Sequence, residues 1–137
     1  MPRSALSAVA LAVPVLAAAG CGGGSSKPYT AAGTAPCLTT KGFTKVTTAS
    51  ARVGLIAAVA PNGGLRATSA SGNVLTVAFA ADEGAAASTR QAFRRHASPT
   101  YRLHIDDVME SKRNAVLVWT VTPGPKLLAD AEGCLHS

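Results

Sequence analysis

The chain has 137 residues, of which 47% are hydrophobic and 4% aromatic, with a formal net charge of +6 and three cysteines. That length supports one modest core and, once an apolar leader is set aside, no second domain. One Trp, two Tyr and three Phe, with no basic run interleaved among them, exclude the composition of a nucleic-acid-binding surface.

Arg3 is followed by an apolar run from Ala5 to Ala19, broken only by Ser7 and Pro14, and then by small residues up to Cys21. Charged, apolar and small-residue regions in that order make a secretory signal. The run is about 15 residues long, whereas a bilayer-spanning helix needs roughly 20, so a permanent membrane span is not expected. The residues Ala18-Ala19-Gly20-Cys21 resemble the lipobox of bacterial lipoproteins, in which signal peptidase II cuts before a cysteine already carrying diacylglycerol. That family most often has Leu where this chain has Ala18, and Ala17-Ala18-Ala19 also fits an ordinary A-x-A cleavage site. The resemblance implies lipidation at Cys21 and a protein held on the extracytoplasmic face of the cell membrane by its lipid anchor.

Three cysteines would leave an odd thiol in an oxidising compartment. With Cys21 lipidated, Cys37 and Cys134 remain as a disulfide pair bracketing nearly the whole domain. Closing a loop of about 100 residues stabilises by up to ~4.7 kcal/mol in the chain-entropy model. A metal or redox role would call for closer spacing, such as C-x-x-C. Removing residues 1–20 takes away Arg3 and no acid, which lowers the formal charge from +6 to +5. That balance favours anionic lipid headgroups or cell-wall polymers as partners.

The expected organisation is a signal peptide over residues 1–20, a lipidated Cys with a flexible Gly/Ser/Pro tether over 21–36, and a small domain over 37–137. The tether would span ~20 Å as a random coil. Within the domain, Phe43 to Thr47 reads as a short strand. Ser50 to Ala60 fits either period, with Val53, Ile56, Ala57 and Ala60 suiting a helix and Val53, Leu55, Ala57 and Val59 a strand. Ser50 as a cap and Pro61-Asn62-Gly63-Gly64 as a stop favour the helix. Val74 to Ala80 alternates as a strand, and the Ser71-Gly72-Asn73 turn pairs it with Leu65 to Ser69 as a hairpin.

Asp82 can cap a helix in which Ala86, Thr89, Phe93 and Ala97 share one face while Arg90, Arg94 and Arg95 lie off it. Tyr101 to Met109 and Ala115 to Val121 read as a second hairpin joined by the charged stretch Glu110 to Asn114. Pro125 opens a short helix through Leu127, Leu128 and Ala131 that Gly133 stops. The fold class that follows is α+β: a single small domain, a mainly antiparallel sheet with helices packed on one face, closed by a disulfide between its ends.

On a strand, His104 and Asp106 would share a face and, with Glu110 or His96, could ligate a divalent metal. A solvated strand face leading into a charged hairpin accounts for the same residues, and Asp106 and Asp107 point to opposite faces of a regular strand. No G-x-S-x-G or S-x-x-K signature accompanies the histidines. No catalytic, metal or cofactor residue is therefore assigned, and no cofactor is expected. Arg90, Arg94 and Arg95, with His96 beside them, form the densest positive patch, a candidate surface for an anionic envelope component or a protein partner. Trp119 reads as core, and His136 as a frayed terminal residue. The function expected is that of a non-enzymatic envelope binding or accessory module, with an extracytoplasmic hydrolase as the alternative of a different class.

Overall fold

The computed structural model describes residues 26–137. The expected signal peptide, Cys21 and the first residues of the expected tether lie outside the described residues. Strands β1 (Thr44–Thr47), β2 (Gly64–Thr68), β3 (Val74–Phe79), β4 (Met109–Lys112) and β5 (Ala115–Trp119) form one sheet in the order β1-β2-β3-β5-β4. Every pairing in it is antiparallel. Five helices pack against it: α1 (Ala31–Thr40), α2 (Leu55–Ala58), α3 (Glu83–His96), α4 (Pro99–Arg102) and α5 (Pro125–Gly133). The α+β class, the antiparallel sheet and the Cys37–Cys134 bridge expected from the sequence are all present.

Register divides the side chains of the sheet into two faces. Leu65, Val77 and Leu117 stand side by side, as do Ala67, Leu75 and Trp119, and both rows point the same way. The α1 and α5 layer covers that face. Phe43, just after α1, sets its ring 6.4 Å from that of Trp119, and the disulfide joins α1 to α5 with Cα atoms 5.3 Å apart. On the opposite face Ala78 lies between Gly64 and Val116, and α2 presses onto it. A Cβ on Gly64 would meet the carbonyl oxygen of Ala57 at 2.4 Å, so only glycine permits this approach. The helix α3 crosses the same face over β5 and β4, where Arg90 Nη1 donates to Ser111 Oγ at 3.0 Å.

Helices therefore lie on both faces rather than one. The cause is visible in β5, where all five residues are buried. A strand buried on both sides needs cover on both.

Local chemistry shapes the elements. The β2–β3 turn closes with Ser69 N donating to the Asn73 carbonyl at 2.8 Å, and Gly72 takes φ +86 within it. Asp82 Oδ1 accepts from Ala85 N at 2.8 Å and caps α3, as expected. Pro125 opens α5 and Gly133 ends it. The expected helix over 50–60 is split by Gly54, at φ +87, into a 3₁₀ turn (Ser50–Arg52) and the single turn α2.

Two expected boundaries move. Tyr101 to Met109 is not a strand: Ser98 Oγ accepts from Tyr101 N, Pro99 occupies the first turn of α4, and a 3₁₀ turn (Ile105–Asp107) follows. The cap-plus-proline start outweighed the alternation of Leu103 and Ile105. The hairpin partner of β5 begins at Met109, the last residue of the expected strand, and runs through Lys112 into the stretch read as a connector.

The tether expected through residue 36 is helical from Ala31. Ala31, Thr34 and Leu38 form a buried stripe at helical spacing, and Thr30 Oγ1 caps the helix by accepting from Gly33 N. Pro36 removes the donor that Ala32 would otherwise receive, but both residues are exposed, so the missing bond falls on the solvent side of the helix.

Residues 26–30 are strapped to the β4–β5 turn. Arg113 Nη2 donates to the carbonyls of Ser26 and Lys27, and the Arg113 guanidinium lies 4.2 Å above the Tyr29 ring. Asn114, almost fully buried, accepts from Tyr29 N and donates to the carbonyls of Tyr29 and Ala80. His136 is not frayed either: its carbonyl accepts from Thr30 N at 2.8 Å and its N–H donates to Thr34 Oγ1.

Asn114→Ala should cost about 3 kcal/mol, at about 1 kcal/mol for each of the three bonds lost. Urea denaturation of the oxidised protein measures it, and a loss near zero would show that the strap contributes nothing to the fold.

Candidate functional site

The α3 arginines project from the outer side of that helix towards the turn that follows α4. Arg94 donates through Nε and Nη2 to the same oxygen of Asp106, at 2.9 and 2.7 Å, while Arg90 Nη2 stands 3.9 Å from it. Arg94 holds the Asp106 carboxyl below its ordinary range, mainly through this hydrogen bond and then through its charge, with a smaller contribution from Arg90. Arg90 also donates to Ser111. The expected patch thus presents only Arg95 without a partner among the described residues. Arg90 and Arg94 spend their charge in fastening α3 to the Asp106 turn.

His104 and Asp106 do not share a strand face. His104 Nδ1 faces Asp107 Oδ2 at 3.6 Å, and Asp106 is taken by the arginines. Neither Glu110 nor His96 joins them, and among the described residues no three His, Cys, Asp or Glu side chains are grouped as a metal site. Trp119 is fully buried in the core, as expected.

The candidate site is instead a cleft of about 400 Å³ on the face of the sheet shared by α2 and α3. Its floor comes from Arg66 of β2, Val74 and Thr76 of β3, and Val118 of β5. Val53 and Ile56 form one wall, Phe93 and His96 at the end of α3 form the other, and Tyr101 closes one end. The opening exists because Gly54 limits α2 to one turn over the Gly64–Ala78 end of the sheet, leaving Val74 and Thr76 half-covered.

Two of the cleft's hydroxyls are committed to the fold. The Tyr101 O–H donates to the Trp119 carbonyl, and burial pushes its phenol pKa up, so it stays a neutral donor. Thr120 Oγ1 donates to Asn73 Oδ1 at 2.9 Å. Such an arrangement can hold an apolar body and present one guanidinium to it. The sequence carried one overlooked signal of this cleft: Val74, Ala78, Val116 and Val118 make the second faces of β3 and β5 apolar too.

No protein-family model, curated protein or solved structure matches the chain.

Asp106 has a lowered folded-state pKa, so its contribution is present above the unfolded carboxyl value and is lost as pH falls through the folded one. Asp106→Asn should lower the thermal midpoint at neutral pH, and the gap to wild type should close as pH falls from about 4 towards 2. A gap that stays constant across that window would show that the pairing does not stabilise the fold.

Proposed function

We propose that the protein is a lipoprotein anchored through Cys21 to the extracytoplasmic face of the cell membrane, and that its domain is a non-enzymatic binding or accessory module of the envelope. The observation that carries this reading is the Cys37–Cys134 bridge. Disulfides persist in oxidising compartments, outside the cytoplasm, which supports export. The bridge also accounts for two of three cysteines and leaves the one that follows Ala18-Ala19-Gly20 for the lipid.

For the domain itself, the open cleft with its mostly apolar wall and fold-committed hydroxyls supports binding over bond-breaking chemistry. The positive net charge supports an anionic partner in the envelope.

Intact mass of the membrane-extracted protein should show diacylglycerol on the mature chain, and Cys21→Ala should abolish both the added mass and the membrane association. Wild-type protein recovered unlipidated from the medium would overturn the anchor. Non-reducing peptide mapping of the exported protein should recover Cys37 joined to Cys134, and two free thiols there would overturn the oxidising address.

A further inference from the structure

We propose that the cleft binds a single-chain amphiphile, its anionic head held by Lys45, Arg52 and Arg66 and its apolar chain laid over Val74 and Thr76. This rests on the reading of the domain as a binding module and names the chemistry of its ligand. The three cations converge from different elements. Arg66 projects from β2 on the α2 face of the sheet, Arg52 lies in the 3₁₀ turn before α2, and Lys45 comes from the edge strand β1. Together they line a groove that shares Arg66 and Val74 with the cleft, so groove and cleft are continuous.

Lys45 is held there by an unusual backbone. Pairing of β1 with β2 slips between Thr44 and Thr47, and Lys45 sits in the slip at φ +51. A residue with a side chain is strained in that region, and bulges that re-aim side chains gather beside binding sites.

Charge completes the case. Of the other cations, Lys41, Arg90, Arg94, Lys112 and Lys126 lie within reach of carboxylates and Arg102 and Arg113 donate to backbone carbonyls, whereas Lys27 and Arg95 stand apart from one another and form no such cluster. Among the described residues, Lys45, Arg52 and Arg66 make no ion pair and no side-chain hydrogen bond, and no Asp or Glu lines either the groove or the cleft. A carboxylate or phosphate head would enter without an internal competitor.

The apolar lining of Val53, Ile56, Phe93 and Val118, with Leu55 67% exposed at the mouth, would be left unused by a small inorganic anion. A neutral chain would leave the cations unused. A flat bilayer surface cannot enter a concave site, which favours a single amphiphile molecule.

The test is equilibrium binding of the fluorescent fatty acid dansyl-undecanoate to the full-length protein, followed by dansyl emission. Wild type should bind it saturably. The exposed double variant Arg52→Glu/Arg66→Glu should weaken binding by about tenfold or more, and rising salt should weaken wild-type binding. Thr76→Trp, which fills the floor, should also weaken it; if that variant lowers the thermal midpoint, Leu55→Asp at the mouth reads the same chain contact.

Decanoate should displace the probe far better than decanol or inorganic phosphate. No saturable binding, unchanged affinity in the double variant, or equal competition by decanol or by phosphate would each overturn the proposal. These outcomes are independent of the mass of Cys21→Ala, which reads the anchor alone.

Discussion

The covalent link between α1 and α5 is the constraint on which the rest of the domain depends. Those helices come from opposite ends of the folded chain, with the bridged cysteines 97 positions apart in sequence, and neither is long enough to be stable alone. Joined, they make one layer that seals Leu117 and Trp119 from water. The link also brings the two chain ends into register, so that Thr30 and Thr34 exchange hydrogen bonds with His136. The opposite layer has no such staple. There α2 is a single turn and α3 is tied down by its arginines, and the gap between them is the cleft.

Elements whose local signals agreed with their tertiary setting were legible in the sequence. The β2–β3 hairpin combined strict alternation with turn residues, α3 combined a cap with a helical stripe, and α5 was framed by Pro125 and Gly133. The helix α1 was not, because its buried stripe is built from Ala31 and Thr34 before reaching Leu38, in a segment whose Gly, Ser and Pro content looks like a linker. Its stability comes from contacts far along the chain, among them the Cys134 bridge to Cys37 and the His136 bond to Thr34. Segment 101–109 carried two conflicting signals, and alternation lost to the Ser98–Pro99 start. The cleft was illegible for a different reason: it arises from where α2 and α3 stop, and no local period encodes that.

The arginines make the same point about charge. Spacing alone placed Arg90 and Arg94 on one helix face, and that is correct, yet it could not reveal that Asp106, twelve residues beyond Arg94, comes back to meet them. Arg66, by contrast, is an ordinary outward residue of an alternating strand, and only the fold sets it beside Arg52 and Lys45. Positive charge thus serves two ends in this molecule. On α3 it fastens an element; along the β1 side it is left open to solvent.

The strap by Arg113 and Asn114 sets a standoff. From Cys21 to Ser26, the first residue that it grips, is five peptide units, which reach at most ~18 Å even fully drawn out. With a lipid on Cys21, as proposed, the β4–β5 turn and the start of α3 would stay close to the bilayer whatever path those residues take. The cleft belongs to the other end of α3, and its 14 residues make a rod of ~21 Å. Anchor and mouth would then sit at opposite ends of α3, so the attachment itself would leave the cleft uncovered.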